Sequence, residues 1–150
     1  NFVYGNETYQ NYETICGGAG AGVDFDGADA CQVHMTNSRI TDPEILESRF
    51  PVTLDEFSIR ENSGGLGRHR GGDGAVRKLT FKEPMTASII SSHRKIPPKG
   101  LAGGADGATG RNYLVKADGT TLPLASRATA QVAPGDQLVV ETPGGGGYGN

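Results

Sequence analysis

Short apolar–polar alternations run through most of this chain, and helical spacing appears in one place only. Tyr9 to Ile15 is rich in Tyr, Thr and Ile and predicts a strand. Cys31-Gln32-Val33-His34-Met35 alternates and predicts a second, short one. Val52-Thr53-Leu54 and Phe57-Ser58-Ile59 alternate out of phase by one residue, which a bulge near Asp55-Glu56 reconciles. Strands are expected at Ala75–Phe81 and Met85–Ser91. Asn112–Lys116 and Thr120–Leu124 flank Asp118-Gly119, whose two residues suit a type I′ hairpin turn. Arg127–Val132 and Gln137–Glu141 form a further pair turning at Pro134-Gly135-Asp136. The single helix spans 43–49. Asp42 is a good N-cap and Pro43 suits the first helical position. Glu44 and Glu47 suit the early turns, Arg49 the last, and Pro51 closes the element. The expected fold is therefore mainly β, a two-layer sheet or partly open barrel with long loops. Its core is expected from Val52, Leu54, Ile59, Leu79, Ile89, Leu114, Val132, Leu138 and Val140.

Composition sharpens this picture. Of 150 residues, 24 are Gly and 8 Pro, and Gly is about twice its usual share. No strict Gly-X-Y period exists, which removes collagen. The glycine content also argues against a helical bundle, since each interior Gly costs roughly 1 kcal/mol. The glycines cluster in loops at 17–22, 63–74 and 93–111 and in the run 144–147. No stretch approaches the ~20 apolar residues of a membrane span, and the start Asn1-Phe2-Val3-Tyr4 has no secretory pattern. It also lacks Met, so the chain reads as a piece of something longer. Fourteen basic and seventeen acidic residues give a net charge of −3, with no electrostatic case for nucleic acid or an anionic membrane. Two cysteines, Cys16 and Cys31, are too few for a disulfide scaffold and suggest reduced thiols in the cytoplasm.

The motifs divide between chemical and structural readings. Gly18, Gly20 and Gly22 alternate instead of forming G-x-G-x-x-G before a helix, and no Gly precedes Lys-Ser or Lys-Thr. Tight turns and close backbone packing therefore outweigh a phosphate loop. Asp24, Asp26 and Asp29 fail the calcium-loop spacing, because Gly27 stands fourth and Met35 twelfth. Solvated turn carboxylates are the simpler reading. The three histidines have no zinc-type spacing. His34 begins His34-Met35-Thr36-Asn37-Ser38-Arg39, a run of donors and acceptors that suits either a polar substrate or a hydrogen-bonded turn. Arg68 and Arg70 flank His69 between glycines, where they suit an anion or an ion pair with Asp73. Cys16 beside Gly17 is a possible nucleophile.

Taken in order, several of these stretches resemble the C-terminal part of the hydantoinase B/5-oxoprolinase family. They are Tyr12-Glu13-Thr14-Ile15 with the 17–22 glycines, His34 through Glu47, and Gly64 through Gly74. Pro97-Pro98-Lys99-Gly100-Leu101-Ala102-Gly103-Gly104, Pro134-Gly135-Asp136 and Thr142 through Gly149 complete the set. The resemblance covers nearly the whole chain. It implies one region, 1–150, of a larger ATP-dependent cyclic-amide hydrolase. The implied reaction opens 5-oxoproline to glutamate, with phosphorylation of the amide oxygen activating the ring. N-methylhydantoin hydrolysis or ketone carboxylation is the alternative activity, and a non-catalytic assembly module the alternative role. ATP and Mg are expected on an A-type partner subunit or domain, with no cofactor on this chain. The partners implied are that subunit, the remainder of the B-type chain and a small cyclic amide. His34, Asn37, Arg39, Arg68 and Arg70 are the candidate substrate-binding residues. The resemblance assigns neither a catalytic residue nor a metal site.

Overall fold

The computed structural model describes residues 1–32 and 40–150. Among the described residues, nine strands form two antiparallel sheets, with one short helix. The strands are β1 (Phe2–Gly5), β2 (Gln10–Glu13), β3 (Val52–Arg60), β4 (Gly74–Phe81), β5 (Met85–Ile90), β6 (Arg111–Val115), β7 (Thr121–Leu124), β8 (Arg127–Val132) and β9 (Gln137–Glu141), and α1 spans Pro43–Arg49. One sheet runs β2-β1-β5-β8 and the other β3-β4-β9-β6-β7, and neither closes into a barrel. The sheets face each other across a single core that takes Phe2, Tyr4, Ala87 and Ile89 from one and Val52, Leu79, Phe81, Leu114, Leu138 and Val140 from the other. Alternation drives this arrangement, because successive side chains of a strand point to opposite faces. The burial of β4 alternates accordingly, with Ala75, Arg77, Leu79 and Phe81 inward.

The expected helix is present as read. The Asp42 side chain accepts the Glu44 N–H at 3.0 Å, Pro43 leads, and Leu46 is wholly buried against the sheets. The bulge also falls where the phase change required it, as a register shift between Leu54 and Glu56 opposite β4. One strand is additional to those expected, and three expectations need correction. Residues 2–5 form a strand, β1, that pairs with both β2 and β5. The strand expected over 9–15 is only four residues long. Ile59 is exposed (43%) although its phase is right, as is its neighbour Phe57. Both belong to the edge strand of their sheet, beyond the cover of the facing sheet. The Asp118-Gly119 turn is not type I′, since Gly119 has a positive φ (90°) and Asp118 does not. Lys116 and Thr120 pair through Lys116 N–H to the Thr120 carbonyl, and Gly119 N–H bonds back to the Lys116 carbonyl. That is a three-residue loop with its glycine at the left-handed position. Of the strand expected at 31–35, Cys31 makes an isolated bridge to Gly17, while residues 33–35 lie outside the described residues. The turn at 134–136 has Pro134 second and Gly135 (φ 90°) third, closed by Asp136 N–H to Ala133 carbonyl, which is type II.

The glycine-rich segments form a bundle of extended chains beside the sheets. Residues 142–149 run through its middle. Their contacts repeat every three residues, the period of a polyproline-II helix. Gly144 and Gly147 donate to the carbonyls of Ala108 and Ala105, and Gly145 and Tyr148 donate to those of Gly72 and His69. Pro143 and Gly146 accept from the N–H groups of Gly18 and Ala21. Added side chains would destroy this packing. A Cβ on Gly144 would overlap the Ser63 carbonyl, one on Gly145 that of Ala19, and one on Gly146 that of Lys99. Two of the acidic residues expected to be solvated, Asp26 and Asp29, serve the same bundle, while Asp24 is exposed. Asp26 accepts the Arg70 N–H (2.9 Å), and Asp29 accepts the Asp73 N–H (2.7 Å).

Candidate functional site

A cleft of about 530 Å³ opens where the glycine bundle meets the sheets. Its wall comes from Asn1-Phe2 at the start of β1, from residues 14–18 just after β2, from Cys31, from the end of β5 and the segment following it, and from Val140, Thr142 and Pro143. Thr14, Ile15 and Cys16 reach it because the chain leaves β2 directly into the Gly17–Cys31 bridge. Gln32 fixes that passage by donating its side-chain N–H to the Thr14 carbonyl at 2.9 Å. On the other side β5 ends at Ile90, and Ser91 is tied to the Ser126 carbonyl by both its N–H and its hydroxyl. His93 follows with φ 53°, a left-handed value uncommon outside Gly, Asn, Asp and His. Its carbonyl takes the Gly110 N–H at 2.9 Å.

Arg94 comes next and lines both this cleft and a neighbouring one of about 400 Å³. Its Nε donates to Asn112 Oδ1 (3.1 Å) and its Nη1 to the Ser92 carbonyl (2.6 Å). The guanidinium covers Gly110 so closely that a Cβ there would collide with it. Asn112 is oriented in turn by donating to Ser91 Oγ at 2.9 Å. Burial, with the nearby Arg60 guanidinium adding repulsion, pulls the Arg94 pKa down to about 10. The side chain is still cationic at neutral pH. Cys16 is nearly buried, and that burial pushes its thiol above the ordinary range. It is therefore protonated at neutral pH and is a poor nucleophile.

The sequence candidates separate. His34, Asn37 and Arg39 lie outside the described residues. Arg70 pairs with Asp73 at 2.7 Å, and Asp73 also accepts the Gly64 N–H at 2.8 Å and the Asn62 N–H at 3.2 Å. Arg70 thereby braces the 62–74 loop. Arg68 is exposed and packs beside Gly149. Neither arginine lines the two clefts. Arg94 itself was legible only as part of a basic stretch. From Pro84 to Ala105 the chain has no Asp or Glu, yet it carries His93, Arg94, Lys95 and Lys99.

Many of the glycine N–H groups are taken up within the bundle. A phosphate cradle needs unengaged backbone N–H groups, whereas those of Gly18, Gly65, Gly71, Gly72, Gly145 and Gly147 already bond to carbonyls. Among the described residues no group of three His, Cys, Asp or Glu side chains is placed to hold a metal ion. No described helix is long and apolar enough to cross a membrane.

Fold and cleft together define a two-sheet β module that is sewn to a glycine bundle and has a cationic cleft at the seam. The chain belongs to the hydantoinase B/oxoprolinase family, whose model matches residues 1–150. It is 49% identical over 150 residues to 5-oxoprolinase 1 of Arabidopsis thaliana, covering 100% of this chain and 12% of that protein. It is 46% identical over 149 residues to 5-oxoprolinase of Dictyostelium discoideum, covering 99% and 12%. The chain thus spans about an eighth of the length of these relatives. The ATP-dependent caprolactamase of Pseudomonas jessenii shares the fold, with a TM-score of 0.80 at 24% identity over 99% of this chain and 28% of that one.

Proposed function

We propose that this chain is a region of a larger ATP-dependent cyclic-amide hydrolase that opens 5-oxoproline to glutamate. The observation that carries the reading is the near 50% identity, over all 150 residues, to a protein named 5-oxoprolinase. The caprolactamase supports the reaction class, because it too is an ATP-dependent enzyme acting on a lactam. In this reading ATP and Mg bind an A-type subunit or domain. A cytoplasmic setting belongs to the same proposal and suits the unpaired state of Cys16 and Cys31.

Chemically, an amide is a weak electrophile. A hydrolase of this kind gains rate from groups that favour the charge developing as the ring opens over the resting substrate. The polar run holding His34, Asn37 and Arg39 supplies donors of that type. The test is ATP-dependent glutamate release from 5-oxoproline by the complete enzyme, in wild type and His34→Ala. Glutamate formation coupled to ADP release is expected, with a marked loss in the variant. Consumption of N-methylhydantoin, or of a ketone with bicarbonate, in place of 5-oxoproline would move the chain to another branch of the family. Undiminished turnover in His34→Ala would remove that residue from the mechanism.

A further inference from the structure

The geometry points to Arg94 as the receptor for the carboxylate of a small substrate held in the 530 Å³ cleft. This rests on the proposed reaction only for the identity of the acid, since 5-oxoproline is a lactam with one carboxylate. Three features of the cleft carry it. First, its wall contains no Asp or Glu, so nothing there neutralises the guanidinium. Among the described residues Arg94 forms no ion pair, whereas Arg70, Arg77 and Arg111 each have a carboxylate. Second, Arg94 is held in place before any ligand arrives. Asn112, the Ser92 carbonyl and Gly110 fix the guanidinium while using two of its five N–H groups. The three left over suit a carboxylate, which guanidinium binds through paired, charge-assisted bonds. Ordering costs are small for a group already fixed.

Third, the remaining wall matches a small, partly aliphatic ring. Ile15, Ile90 and Pro143 offer apolar surface, while the hydroxyls of Ser91 and Thr142 already donate to the Ser126 and Ala75 carbonyls, so the Arg94 guanidinium is the charged side-chain donor left to a ligand. A mostly apolar cleft with a few converging polar groups is the usual form of a small-molecule site. The nearby Arg60 adds positive charge, because its own bonds go to the neutral carbonyls of Thr109 and Thr142.

The experiment compares equilibrium binding of 5-oxo-L-proline and of 2-pyrrolidinone, the same lactam without its carboxylate, to the complete enzyme. Wild type, Arg94→Gln and Arg94→Lys are measured by calorimetry, and each variant's melting midpoint is recorded. Arg94→Gln is expected to weaken the acid by roughly 10- to 100-fold and to leave 2-pyrrolidinone unchanged. Arg94→Lys should recover part of the loss. Equal weakening of both ligands, or no weakening of the acid, overturns the assignment. So does a large fall in melting midpoint with acid binding intact, which would make Arg94 an internal ion-pairing group of the larger protein. If the wild type fails to open 5-oxoproline, the proposed reaction falls and the Arg94 assignment is judged separately. Arg94-dependent binding of acetate or succinate then sustains it, and no such dependence ends it.

Discussion

Glu13 and Arg77 give the sharpest test of how the two sheets are held together. Glu13 ends β2 in one sheet, and Arg77 faces inward from β4 in the other. Arg77 Nε and Nη2 donate to the two carboxylate oxygens at 2.8 and 2.9 Å, and both side chains are almost fully buried. Tyr4 and Asn11 add donors to Glu13 Oε1 at 3.3 and 3.2 Å. The guanidinium lies 5.1 Å from the centre of the Phe57 ring. Replacing Glu13 by Leu leaves a buried cation with no partner, which costs about 3–5 kcal/mol. For a domain of this size that lowers the melting midpoint by roughly 6–20 °C, at about 2–4 °C per kcal/mol. Arg77→Met alone strands the carboxylate and costs a similar amount. The double replacement removes both desolvated charges, together with the buried Arg77 Nη1 that has no acceptor, and is expected within about 1 kcal/mol of wild type. Urea denaturation of all four proteins completes the cycle. The reasoning is refuted if Glu13→Leu costs less than about 1 kcal/mol or if the two single losses add in the double.

Two further outcomes follow from the bundle and the turns. Gly145→Ala is expected to cost roughly 3 kcal/mol or more, since its methyl meets the Ala19 carbonyl within a well-packed interior. Gly20→Ala has only the Gly146 carbonyl nearby, at 3.9 Å, and should change the melting midpoint little. Equal midpoints for the two would refute the packing argument. Acid stability is set partly by Asp136. Burial pushes its carboxyl up, but bonds from the Ala133 and Ala117 N–H groups and the Lys116 ammonium outweigh this and hold it below the usual carboxylate range. A depressed folded pKa means that the unfolded chain takes up the proton first. The contribution is therefore complete above the unfolded value near 4 and is lost as pH falls through the folded one. Asp136→Asn should be less stable at pH 7 by about 1–3 kcal/mol and should lose less stability than wild type between pH 5 and pH 2. An unchanged pH profile by circular dichroism would contradict this.

The strands and helix were readable because their signals are local. Alternation over 75–81 and 137–141, the Asp42-Pro43 start and the phase change at Asp55-Glu56 each state their structure within a few residues. Ile59 shows the limit of that signal. Alternation assigns a face, while burial depends on how far the opposite sheet extends. The β1 strand could have been found from Phe2-Val3-Tyr4, three good strand formers, but its pairing with β5, over eighty residues away, has no local mark. The candidate site was less legible. Spacing isolates polar runs such as 34–39 and 68–70, and it singled out the Arg70–Asp73 pair as an option. Arg94 matters through Gly110, Asn112 and a cleft wall drawn from five separate segments, which no single window of sequence contains.

The course of residues 142–149 also constrains how the protein reaches its native state. Their backbone acceptors and donors sit at 18–21, 65–75 and 101–108, all earlier in the chain and far from one another in sequence. During synthesis those segments can bond to one another, as Gly72 N–H does to the Ala19 carbonyl and Ala105 N–H to that of Leu66, but their remaining peptide groups stay hydrated until the late octapeptide threads between them. Closure over such sequence distances is entropically slow, so this corner should be the last to acquire protection against amide hydrogen exchange during refolding, after the two sheets have already formed.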